Sequence, residues 1–163
     1  MIQKRKIRKA TLDDIANIQN ITKITWNQTY EGLIPSEIQD KFIESAYSNE
    51  NMEKRVRHSL FLVATVNDRV IGFANFFLRE SEAILGAMYI SPNEQGKGFG
   101  SEILAAALED LKGVSKIYVE VENGNKTGEA FYQAKGFSLL EEYEDDFYGH
   151  ILKTKRMVLD NSN

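Results

Sequence analysis

The sequence predicts an α/β chain: a single domain over residues 1–163, built as a mixed β-sheet with helices packed on it. Three observations carry that prediction. Segments of strand and helix periodicity follow one another in the order β, helices, β-β-β, α, β, α, β-β. No Pro- or Gly-rich linker and no internal repeat divides the chain. The composition, 42% hydrophobic and 27% charged, is that of an ordinary globular domain long enough to bury one core.

The elements follow in order. A short strand surrounds Ile7, and Thr11 with Asp14 three residues on has the form of a capping box before a helix. Ile15, Ile18, Thr22, Trp26 and Tyr30 then step by three or four and mark one face of that helix. Pro35 suits the first turn of a second helix through Ile38, Phe42 and Ala46, and a third covers Asn51 to His58. Leu60–Val66 and Val70–Leu78, rich in β-branched and aromatic residues, read as a hairpin across Asn67-Asp68-Arg69. A strand over Ala83–Ile90 leads into a glycine-rich loop. The next helix spans Phe99 to Leu111, with Leu104, Leu108 and Leu111 on its apolar stripe, and Gly113 ends it. Ile117–Val121 is a strand and Thr127–Lys135 a helix with Gly136 just beyond it. Phe137–Tyr143 and His150–Leu159 close the chain as two strands.

Composition excludes several chemistries. The chain has no cysteine, so disulfides, thiolate metal sites and a cysteine nucleophile are ruled out. Its two histidines, His58 and His150, lack the pair spacing of a zinc site, and no metal is expected. The first nine residues carry five basic side chains with no signal-like apolar stretch behind them. The longest uninterrupted apolar run, Ile103–Leu108, is far too short to cross a bilayer. The chain therefore reads as cytoplasmic and free of membrane. A net charge of −4, with the basic patch confined to one edge strand, argues against nucleic-acid binding. The run Glu141-Glu142-Tyr143-Glu144-Asp145-Asp146 reads either as a solvated loop or as a field that draws in a cationic substrate.

The loop Gln95-Gly96-Lys97-Gly98-Phe99-Gly100 carries three glycines at alternate positions between a strand and a helix. Free N–H groups and the helix dipole converge at such a junction, which makes it an anion site, and Lys97 adds a mobile positive charge. Two better-known phosphate motifs fail here. The dinucleotide fingerprint requires G-x-G-x-x-G, and the nucleotide P-loop requires G-x-x-x-x-G-K-[ST]. The loop instead fits Q/R-x-x-G-x-G/A through Gln95, Gly98 and Gly100.

That pattern resembles the GCN5-related N-acetyltransferase (GNAT) superfamily, and the resemblance extends over most of the chain. "MYISPNEQGKGFGSEIL" is similar to the family's fourth strand, pyrophosphate loop and third helix. "VENGNKTGEAFYQAKGF" resembles its second block, with Asn125, Phe131-Tyr132 and Gly136-Phe137 at the family offsets. "TWNQTYEGLIPSE" resembles its acceptor-side helix pair, and "FIESAYSNENMEK" resembles a bacterial subgroup of polyamine (spermidine/spermine) acetyltransferases.

The resemblance implies a mostly antiparallel sheet with one splayed parallel strand pair and helices on both faces. It implies acetyl-CoA as co-substrate, lying between strands Ala83–Ile90 and Ile117–Val121. The backbone of Met88, Tyr89 and Ile90 would pair with the pantetheine arm, and an N–H near Met88 would meet the oxyanion. Gln95, Gly96, Lys97, Gly98, Phe99, Gly100 and Ser101 would cradle the pyrophosphate, where a Cβ would block close approach. Asn125 would bond the cofactor arm. Tyr132 would be the general acid that protonates the departing thiolate, since a phenol with pKa ~10 keeps its proton at neutral pH. Plain packing of a helix face is the alternative for Phe131-Tyr132, and Phe131 is read as core.

An amine can attack the thioester directly, without a covalent enzyme intermediate, provided it is neutral. Many family members carry a glutamate near the start of the fourth strand, and the matching position here is Ile84. Glu82, on the same face by strand alternation, is the candidate base through water, with Glu120, Glu122 and Glu31 as alternatives. Trp26, Tyr30 and Glu31 would line the acceptor pocket; a core-facing stripe is the other reading of the two aromatics. The expected acceptor is a primary amine of a small molecule, a polyamine among them, or a peptide N-terminus. The acyl group could also be succinyl or propionyl. A non-catalytic acyl-CoA-binding module is the alternative function, favoured by Ile84. Members of the family are often homodimers, and Phe147 and Tyr148 would suit an interface or a pocket lid.

Overall fold

A computed structural model describes residues 3–162. The strands are β1 (Arg5–Lys9), β2 (Leu60–Val66), β3 (Arg69–Arg79), β4 (Glu82–Ile90), β5 (Lys116–Glu122), β6 (Ser138–Phe147) and β7 (His150–Asp160). They form one sheet in the order β1-β2-β3-β4-β5-β7-β6. Only β4 and β5 run parallel; the other neighbours are antiparallel. The helices are α1 (Ile15–Tyr30), α2 (Ser36–Ala46), α3 (Asn49–His58), α4 (Phe99–Asp110) and α5 (Lys126–Ala134).

Strand alternation sends side chains to two separate cores. On one face Phe61, Val63 and Phe73 pack against Ile15, Ile18, Ile21 and Met52 of α1 and α3. On the other, Leu62, Ala64, Phe76, Leu85, Ile117 and Val119 pack against Ile103, Leu104 and Ala107 of α4 and Tyr132 of α5. Helices therefore cover both faces. Before α1, Asp14 accepts from the Thr11 amide at 2.8 Å and from Arg8 at 2.8 and 3.0 Å. This closes the capping box around a single 3-10 turn, Leu12–Asp14.

Four local readings are corrected. Pro35 sits at the N-cap of α2 rather than inside its first turn. Helix α3 begins at Asn49, because Ser48 accepts from the Asn51 amide at 3.2 Å and caps it. The β2–β3 turn is two residues long: Asn67 and Asp68 have φ of 51° and 67°, the positive values a tight hairpin needs, and Arg69 already lies in β3. The acidic run 141–146 is no loop but part of the outermost strand β6.

One irregularity shapes the molecule. In the β3–β4 ladder Asn75 faces Ala87 while Phe76 faces Leu85, so Gly86 is an extra residue, a bulge. A Cβ at Gly86 would lie 2.6 Å from the Phe77 ring, so the bulge is open only to glycine unless that ring moves. The parallel β4–β5 ladder runs from Glu82–Lys116 to Leu85–Val119 and stops there, beside the bulge. A bulge bends its strand, and beyond this point β4 and β5 diverge.

Candidate active site

The divergence opens a cleft of about 690 Å3. One lip is β4 from Leu85 to Ile90, whose edge toward β5 has no strand partner beyond Leu85. The other is Val119–Glu122 of β5, continued by Asn125 to Gly128 and then Phe131 and Tyr132 of α5. The glycine loop closes one end, and Thr25, Gln28, Thr29 and Tyr30 of α1 line the cleft from across the sheet.

The glycines of the loop serve two purposes. Gly96 and Gly98 have φ of 77° and 87°, a backbone shape that L side chains rarely adopt. Gly100 is helical, and a Cβ there would lie 3.3 Å from the Phe131 ring, so its role is close packing of α4 on α5. Gly98 is the residue before α4, so the amides of Phe99, Gly100 and Ser101 form the open N-terminal end of that helix at the cleft. Gln95 donates to the Ile90 carbonyl at 2.9 Å and ties the loop to the end of β4. Lys97 does not line the cleft. Its ammonium lies 3.3 Å from the buried carboxylate of Glu94.

At the far end three ionisable groups meet. Tyr30 donates its hydroxyl to Oε2 of Glu122 at 3.0 Å. Burial lifts the Glu122 carboxyl above the ordinary carboxylate range, although the Tyr30 hydrogen bond pulls it back. Tyr132 is buried on α5, edge-on to Phe131 and Phe137 with ring centroids 5.2 and 5.4 Å away. Its burial, and then the charge of Glu122, drive its pKa far up, so its phenol keeps the proton throughout the physiological range. A second bond holds the opposite lip: the Trp26 indole donates to the Tyr89 hydroxyl at 2.8 Å. Burial, with nearby tyrosines and Glu122, raises Tyr89 well above an ordinary phenol.

The cleft gathers Met88, Tyr89, Ile90, Gln95, Gly96, Gly98, Phe99, Gly100, Ser101, Asn125, Tyr132, Tyr30, Glu120 and Glu122. Other sequence candidates lie elsewhere. Glu82 sits where β4 and β5 are still paired and accepts from the Tyr118 hydroxyl at 3.1 Å, at the closed end of the splay. Strand alternation assigns a face but carries no information on depth along the strand. Glu31 opens on a separate depression with Lys23, Asp40 and His150. Trp26 is buried, stacked on Phe42 at 4.5 Å, and stands behind the cleft wall, touching Tyr30 edge-on at 4.6 Å and donating to Tyr89. Asn125 uses its side-chain oxygen to cap α5, accepting from the Gly128 amide at 3.1 Å, which leaves its NH2 group as a donor.

Phe131, read as core, is half-buried and lines the cleft. Thr25, Gln28 and Thr29 also line the cleft, and their i, i+3, i+4 spacing beside the apolar stripe of α1 is the sequence signal that marks them. Among the described residues no group of three or more His, Asp or Glu side chains could hold a metal ion, and no helix is long and apolar enough to cross a membrane.

Comparison with known proteins sets this geometry in context. The profile of the Acetyltransferase (GNAT) family matches residues 18–137. A spermidine N(1)-acetyltransferase of Thermoplasma acidophilum is 27% identical over 150 residues, 87% of this chain and 93% of the relative. An uncharacterized N-acetyltransferase of Bacillus subtilis, YuaI, is 29% identical over 148 residues, 86% of this chain and 83% of the relative. The crystal structure of PaiA N-acetyltransferase from Thermoplasma acidophilum in complex with coenzyme A superposes with a TM-score of 0.87 at 24% identity, covering 96% of this chain and 99% of that one. It shares the fold.

Proposed function

The chain belongs to the acetyltransferase (GNAT) family, and from that premise we propose that it moves the acetyl group of acetyl-CoA to a primary amine of a small molecule. The carrying observation is the splay of β4 and β5 beyond Leu85–Val119, with a glycine loop at one end and Tyr30, Glu122 and Tyr132 at the other. The residues present fit acetyl-CoA. The unpaired edge of β4 offers backbone groups to an extended amide-bearing arm. The left-handed glycines and the first amides of α4 offer donors to a diphosphate.

Acyl transfer from a thioester to an amine forms one C–N bond and breaks one C–S bond. The nitrogen loses a proton and the departing thiolate gains one. Glu122 fits the first role: it lines the cleft, and its raised pKa makes it a better proton acceptor than an ordinary carboxylate. It replaces Glu82 as the candidate base. Tyr132 fits the second, because its buried phenol stays protonated and donates on demand. An amide donor at the bulged edge of β4 near Met88 would stabilise the oxyanion.

Glu120 joins Glu122 in the cleft wall, and Asp145 of β6 is close enough for its charge to act on Glu122. That acidic surround favours a cationic acceptor such as a polyamine, in line with the activity named for the Thermoplasma relative. The test is thiol release from acetyl-CoA across spermidine, spermine, aminoglycosides, amino acids and peptide N-termini. Turnover is expected with at least one amine, the polyamines foremost. Tight binding of acetyl-CoA with no amine raising thiol release above background would overturn the transferase reading.

A further inference from the structure

We infer that Arg5, on the edge strand β1, is a positioning residue that holds the glycine loop in its anion-receiving shape. One guanidinium nitrogen, Nη2, donates to the Lys97 carbonyl at 2.7 Å and to Oε2 of Glu102 at 2.7 Å. The guanidinium carbon lies 3.8 Å from the centre of the Phe99 ring. Three parts of the loop–helix junction, the Lys97 carbonyl, the Phe99 ring and the Glu102 carboxylate, thus converge on one side chain more than ninety residues earlier in the sequence.

The contact with Lys97 has a directional consequence. The Lys97 carbonyl and the Gly98 N–H belong to one trans peptide, so they point in opposite directions. By drawing the carbonyl toward β1, Arg5 aims the Gly98 N–H away from itself, and Gly98 lines the cleft. Glycine loses more backbone freedom on ordering than other residues, and this peptide is flanked by two glycines with positive φ, Gly96 and Gly98. Without an outside tether that order would have to come from the ligand's binding energy. The charge points the same way. A cation at the N-terminal end of α4 opposes the helix dipole, and Glu102 in the first turn offsets it. Arg5 therefore serves the loop rather than the helix.

The inference rests on the acetyl-CoA reading for its ligand but not for its structural claim, so the experiment separates the two. Amide hydrogen exchange of residues 96–101 in the free protein and calorimetric binding of coenzyme A are measured for wild type, Arg5→Ala and Arg5→Lys. Loss of a charge-assisted bond predicts roughly 10-fold faster exchange confined to these amides, and ~10-fold weaker coenzyme A binding, in Arg5→Ala. The kinetic loss falls on KM for acetyl-CoA rather than kcat. Arg5→Lys recovers only part, since an ammonium has no planar fork to lie over Phe99 while bridging two acceptors. Unchanged loop exchange in Arg5→Ala overturns the inference, as does faster exchange spread evenly over every strand. If wild-type protein does not bind coenzyme A, the acetyl-CoA reading falls, and the exchange rates still decide the role of Arg5.

Discussion

Tyr30 and Glu122 meet at the end of the cleft away from the glycine loop, hydroxyl to carboxylate at 3.0 Å, although 92 residues separate them. Burial raises the Glu122 carboxyl, and the Tyr30 bond counters part of that rise, because a donor to the carboxylate stabilises its charged form.

The first expectation concerns that balance. Glu122 accepts a proton only above its pKa, so kcat/KM should decline as pH falls through a value higher than the ~4.3 of a free glutamate. Tyr30→Phe removes the bond that lowers this pKa, so the acidic limb should move to higher pH with the same amine. An unmoved limb would separate Glu122 from the proton transfer. Stability carries the opposite sign. A carboxyl whose folded pKa is raised favours the fold at low pH, and that contribution is lost as pH rises through the folded value. Glu122→Gln should therefore gain thermal stability over wild type at neutral pH while losing turnover, and the stability gap should narrow toward acid.

Tyr132→Phe removes the proposed proton donor and little else, since no hydrogen bond to its hydroxyl appears among the described residues. A fall in kcat of ~100-fold or more is expected, with coenzyme A affinity and thermal midpoint unchanged. A loss of only twofold would remove Tyr132 from the chemistry.

Glu82→Gln should leave steady-state kinetics within about twofold of wild type, because Glu82 spends its carboxylate on Tyr118 at the closed end of the parallel ladder and general-base effects are far larger than that. A loss of two orders of magnitude would restore it as the base and displace Glu122.

The glycine loop can be tested against a matched position. Gly98 and Gly113 have nearly the same φ, 87° and 92°, but only Gly98 lines the cleft. Alanine at either should destabilise the fold by about 1–2 kcal/mol through backbone strain. Only Gly98→Ala should also weaken coenzyme A binding, measured by calorimetry. Equal binding losses would show that the strain alone, and not the loop, is responsible.

Much of this was legible in the residues. The β-branched and aromatic content of Leu60–Val66 and the three-and-four stepping of Ile15, Ile18, Thr22 and Trp26 both mark buried segments, and a strand and a helix appear there. The acidic run 141–146 misled for a physical reason: β6 is an outer strand exposed along nearly its whole length, so it has no apolar alternation to display. Glu82 and Glu122 could not be ranked from spacing, because the point at which the parallel ladder ends depends on a bulge in the neighbouring pairing. The bond to Tyr30, which singles out Glu122, exists only once α1 crosses the sheet.

The two bonds from α1 have a mechanical consequence. Trp26 grips Tyr89 on one lip and Tyr30 grips Glu122 on the other, and the two residues sit one helical turn apart. Four residues of helix span ~6 Å, a length fixed by the rise of the backbone rather than by side-chain packing. The helix thus acts as a caliper. Both lips are thus tied to a single turn of α1, so their spacing is referred to that helix as well as to the sheet.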